Sequence, residues 1–192
     1  MAGYLEHHDV LRWFVLAAFV LAAGVTTARL ARPARDGDAT ADAAHLLMCP
    51  VMVVMLVFPA GADPLAMRGV LTAAAVVFAA LAAERILRWR TGTGRREDAA
   101  ALGYHTVAAG AMLYAMSGHG GAGHAGPPAE IAVALAVLFA ADAALALLPV
   151  RPGRRAHLFA HAPGAHLLTS ASVPHVVMDL GTAFMLLAVA AR

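Results

Sequence analysis

Residues 43–60, AAHLLMCPVMVVMLVFPA, decide the fold. The run carries no Asp, Glu, Lys or Arg and is close to the roughly 20 apolar residues a helix needs to cross the hydrocarbon core of a bilayer. Within it, Met48, Met52 and Met55 follow His45 at offsets of +3, +7 and +10. At about 100° per residue these positions fall within roughly 80° of one another, a single stripe on one helix face. The pattern is written twice more: His105 leads Met112 and Met116, at +7 and +11, and His175 leads Met178 and Met185, at +3 and +10, with Thr182 at +7. Such spacing suggests one helical hairpin used three times.

Outward from that stretch, six apolar segments approach spanning length: 10–30, 43–60, 65–87, 99–117, 131–148 and 174–191. The breaks between them hold Pro, Gly or clustered charge, including Arg32-Pro33 through Asp42 and the turn Gly61-Ala62-Asp63-Pro64. Of 192 residues, 61% are hydrophobic and only 14% charged, well below the quarter or so usual for soluble domains. The mean hydropathy of +0.71 agrees. The expected architecture is therefore all-α: a single transmembrane domain over 1–192, an integral membrane bundle of six transmembrane helices, built as three repeated hairpins with the striped helices inside. The first apolar run lies behind Glu6-His7-His8-Asp9 and lacks a basic leader, so it is expected to be a retained span rather than a cleaved signal.

Every basic side chain is an arginine, and Asn and Gln are also absent, a usage that suits a GC-rich bacterial genome. The arginines cluster beside apolar segments rather than forming a nucleic-acid patch. Assigned to the nearest loop, eleven arginines fall on one side (29, 32, 35, 85, 88, 90, 95, 96, 151, 154, 155) and three on the other (12, 68, 192). The positive-inside rule then predicts a multi-pass protein of the bacterial cytoplasmic membrane with both termini extracytoplasmic. Helices two, four and six would run outward, each starting at its histidine and proceeding through methionines. Trp13 and Tyr114 are expected near the outer interface, Trp89 and Tyr104 near the inner one.

Histidine within a span is costly and usually faces a polar interior or a functional path. Thioether is a soft ligand that favours Cu(I), and imidazole also serves copper. The candidate metal ligands are thus His45, Met48, Cys49, Met52, Met55, His105, Met112, Met116, His175, Met178 and Met185. Cys49 shares the His45 side of its helix, one residue before Pro50, which removes a hydrogen bond to the Leu46 carbonyl and is expected to bend the helix. Asp179 lies four residues after His175, and Asp142 lies deep in the fifth span; either carboxylate can fix an imidazole tautomer from outside the ligand set. Glu84 is expected to pair with Arg88, four residues on. His7, His8, His119 and His124 fall on the outer side and are candidates for capturing an ion. His157, His161 and His166 occupy the last inner connection, taken as an interfacial loop.

The chain lacks a Gly-x-Ser-x-Gly elbow, a Walker loop, a His-Glu-x-x-His motif and a dinucleotide fingerprint, so no enzymatic activity is expected. The runs His45-Leu-Leu-Met48-Cys49-Pro50, Tyr104-His105 with Met112 and Met116, and Pro174-His175-Val-Val-Met178 resemble an uncharacterised family of actinobacterial polytopic membrane proteins containing a domain of unknown function. That resemblance implies a polytopic membrane fold and carries no established activity. The pairs Met48/Met52 and Met112/Met116 are also similar to the paired methionines of the Ctr-type copper transporters, from which this six-span chain departs in its subunit plan.

The function expected on these grounds is membrane metal handling, Cu(I) binding or permeation through a His/Met-lined interior. Its surroundings would be the lipid bilayer and a metallochaperone or another membrane subunit. Two alternatives remain: a non-catalytic scaffold or complex subunit whose polar cluster fixes helix packing, and a b-type haem protein with two histidine ligands.

Overall fold

The computed structural model describes residues 9–31, 38–58, 63–117, 128–147 and 172–191. These form six helices: α1 Asp9–Leu30, α2 Asp38–Val57, α3 Pro64–Arg90, α4 Arg96–Met116, α5 Ala129–Leu147 and α6 Ser172–Ala190. No strand occurs among the described residues. Five of the helices, all but α4, are long and apolar enough to cross a membrane, and the chain is a membrane protein. The fourth has 21 residues, but Tyr104, His105, Thr106 and Tyr114 lower its hydropathy. Eleven of those 21 are buried against protein, so this helix need not be apolar on every face.

Helix ends follow local chemistry. The Asp63 side chain accepts a hydrogen bond from the Leu65 N–H (2.9 Å), capping α3, and Pro64 sits at its first position, where no N–H is needed. Where the sequence reading treats everything from Arg32 to Asp42 as a break, the structure begins α2 at Asp38. Asp42 stands near the start of α2, where the helix dipole favours negative charge, and is held by a buried ion pair with Arg29 of α1 (3.0 Å). The second helix continues through Pro50, whose ring is exposed. The Glu84–Arg88 pair forms as expected, at 2.5 Å.

Packing reproduces the three hairpins. The extensive contacts are α3 with α4, α5 with α6, and α1 with α2, and the even helices also meet one another. The spanning window is 50% buried in α2 and 67% in α6, against 17%, 22% and 28% in α1, α3 and α5, so the even helices form the centre. Each outer helix buries one phenylalanine among small residues: Phe19 near Ala22, Phe78 near Ala74 and Ala82, Phe139 near Ala136 and Ala143. Small residues let helices approach closely in lipid, where van der Waals packing replaces the hydrophobic drive. The threefold plan is broken by α1, which also lies against α6 and places the Phe19 ring over Gly181.

Candidate functional site

The three histidines meet. His45 on α2 and His105 on α4 are in edge-to-face contact, with ring centroids 4.5 Å apart, and His45 and His175 of α6 are 6.4 Å apart. All three are at most 1% exposed. Each enters its helix in the first half, and the helices lie side by side, so the rings share one level of the bundle.

Around His175 the polar groups form a connected set. His175 Nε2 donates to Asp142 Oδ2 at 2.8 Å, from α6 to α5. Asp179, one turn after His175, sets its Oδ2 3.4 Å from the same nitrogen. The hydroxyl of Tyr104, on α4, donates to Asp179 Oδ1. Four side chains from three helices are thus joined within the membrane-spanning part of the fold, all at most 1% exposed. The i,i+4 spacing of His175 and Asp179 puts both on one face of α6, and the hairpin brings Asp142 up to that face.

His45 is fixed differently. Its Nδ1 donates to the Ala41 carbonyl (2.9 Å), one turn back on α2. A carbonyl only accepts, so in the neutral ring the lone pair is on Nε2, the atom a metal would use. Ala41 also lines a small polar cleft with Thr40, Arg85, Asp98, Ala101 and Leu102, at the end of the bundle where α2 and α4 begin. Aromatic rings close the remaining sides: Phe78 lies 5.5 Å from His105, and Tyr104 lies 4.7 Å from His175 and 6.0 Å from Phe139.

All seven striped methionines are buried: Met48, Met52, Met112, Met178 and Met185 at 1% exposure or less, Met55 and Met116 at 6%. They belong to one core together with Cys49, which is a buried free thiol. The rise of about 1.5 Å per residue sets Met55, Met116 and Met185 some 15 Å along their helices from the histidines. Met48 and Met178, three residues after their histidines, lie within about a turn of the histidine level, as Asp179 does, and the remaining thioethers extend away from it. His7, His8, His119 and His124, with His157, His161 and His166, lie outside the described residues.

Two buried polar residues of these helices escape the sequence reading. Tyr104 is expected at the membrane interface, but the structure buries it completely, bonded to Asp179. Its signal was adjacency: directly before His105 on a helix buried on most sides, it had an inner position open to it. Thr182, noted only as an interruption of the third stripe, is fully buried two turns beyond His175, and its hydroxyl oxygen has no hydrogen-bond partner.

Chemically, Asp142, His175 and Asp179 are the one group of three or more His, Cys, Asp or Glu among the described residues with metal-ligand spacing. One ligand atom from each lies within 4.8 Å of the others. Two carboxylate oxygens and an imidazole nitrogen can hold a borderline or hard divalent ion, whereas the thioethers along the same axis suit Cu(I).

A family described as a domain of unknown function, DUF5134, matches residues 37–189, and the chain belongs to that family. No curated protein and no solved structure matches the chain. The matched region contains all three histidines, both aspartates, Tyr104 and every striped methionine.

Proposed function

We propose that this DUF5134 member is a non-enzymatic metal-handling membrane protein whose bundle interior binds or conducts copper as Cu(I). The observation that carries this reading is the meeting of His45, His105 and His175 from three helices. The seven buried methionines of those same helices extend the ligand path. Imidazole and thioether together suit copper, and weak ligands in series hold an ion without trapping it. In this reading the protein lies in a bacterial cytoplasmic membrane with the histidine level toward the cytoplasm. His7, His8, His119 and His124 collect the ion outside, and a metallochaperone or membrane subunit exchanges it.

The test is anaerobic Cu(I) titration of purified protein against a chromophoric chelator. Wild-type protein binds, and His105→Ala with Met112→Leu does not. Unchanged binding in the double variant refutes the reading and leaves the cluster as a device that fixes helix packing. A b-type haem has no slot between the touching rings of His45 and His105, and between His45 and His175 the macrocycle would have to displace the ring of His105 that lies against His45. Haemin added to the protein is accordingly expected to produce no Soret band of a bis-histidine complex.

A further inference from the structure

We propose that Asp142, His175 and Asp179 form a divalent transition-metal site, for an ion of the Zn2+ class, that shares His175 with the histidine cluster of the copper reading but uses none of its thioethers. A four-coordinate ion with ligands at 2.0–2.1 Å holds neighbouring donor atoms about 3.3 Å apart. The structure has Asp179 Oδ2 3.4 Å and Asp142 Oδ2 2.8 Å from His175 Nε2. One separation already fits, and the other need open by about half an ångström. The ion takes the place of the Nε2 proton, which leaves as the metal binds.

Three features favour an ion here over a purely structural cluster. Asp179 Oδ2 is fully buried, accepts no hydrogen bond and is turned toward the imidazole. Tyr104 holds the other oxygen of the same carboxylate, the outer support that metal-binding carboxylates commonly have. Finally, two carboxylates converge on a single imidazole nitrogen inside a low-dielectric bundle, where an ionised carboxylate is costly unless a cation sits beside it. A dication cancels both charges at once. Arg29, the well-buried cation of α1, is committed to Asp42 instead. The donor set is oxygen and nitrogen without sulfur, so Zn2+ is the probe of choice.

The experiment uses the full chain in detergent, without an affinity tag of histidines and with His7, His8, His119 and His124 changed to Ala. Zn2+ is titrated against a competing chelator dye. One ion per chain is expected. Asp142→Asn and Asp179→Asn, which keep side-chain shape, each weaken binding about 100-fold or more. Tyr104→Phe weakens it about 10- to 100-fold through the carboxylate it holds. Met112→Leu with Met116→Leu leaves Zn2+ binding unchanged, whatever it does to copper, and so separates the two readings. X-ray absorption of the zinc-loaded protein shows only oxygen and nitrogen neighbours near 2.0–2.1 Å. Absence of Zn2+ binding, wild-type affinity in either Asn variant, or a sulfur neighbour near 2.3 Å overturns the proposal.

Discussion

Replacing Gly181 by alanine tests the packing that locks α1 onto α6 and so holds the level of His175. A methyl group at 181 would fall deep inside van der Waals contact with Cζ and Cε2 of Phe19, and 3.3 Å from Cε of Met52. To regain an ordinary carbon separation of about 3.5 Å, the Phe19 ring must retreat by roughly 1 Å. The ring is 0% exposed, so it has no free volume to enter. Either the helices part or the ring leaves its preferred rotamer, an overpacking cost of about 1–3 kcal/mol. Lipid tails are as apolar as the displaced side chains, so the bilayer offers little force to close the gap. Reversible SDS unfolding from mixed micelles, followed by circular dichroism, is the assay. Gly181→Ala is expected to lose about 2 kcal/mol. Phe19→Leu loses contacts on its own, but the double variant should be destabilised by clearly less than the sum, because the smaller side chain makes room for the methyl. A Gly181→Ala protein within about 0.5 kcal/mol of wild type, with additive behaviour in the pair, would refute the reasoning.

Two further outcomes follow from the ends of the helices. Arg29 donates from Nε to both oxygens of Asp42 (3.1 and 3.0 Å) in a largely buried pair, so Arg29→Met strands a carboxylate and should cost about 3–5 kcal/mol in the same unfolding assay; Arg29→Met with Asp42→Leu recovers most of it. For orientation, in a Cys49→Ala background an impermeant maleimide should label Gly120→Cys on intact cells and Arg154→Cys only after permeabilisation, and the reverse result inverts the arginine-based topology.

The helices were legible because each apolar run is bounded by Pro, Gly or charge, and expected spans such as 65–87 and 131–148 fall on α3 and α5 with small shifts at their ends. The centre of the bundle was legible too, since stripes at +3, +7 and +10 can point only one way on a helix, and those side chains are buried. What could not be read was pairing between helices. Asp142 and His175 are 33 positions apart, and Tyr104 and Asp179 are 75 apart. No periodicity within one helix says which polar residue of another it will face. The start of α2 was misplaced for a different reason: the stretch up to Asp42 reads as a polar loop, yet an acid is favoured near a helix start and Arg29 of α1 pairs with Asp42.

The arrangement of polarity bears on whether packing alone explains the cluster. A bundle that needs a buried polar contact to fix the register of two helices already has one in Arg29–Asp42, opposite charges with complementary geometry. Asp142 and Asp179 are the opposite case, two groups of like charge drawn to one nitrogen, with a tyrosine holding the second in place. Removing one carboxylate alone strands the Tyr104 hydroxyl or the His175 N–H that bonds to it, whereas replacing the whole set by apolar side chains of similar volume would pack at least as well. Packing alone therefore does not call for this set, and the proposed cation would engage both carboxylates, set where the histidines of all three hairpins converge.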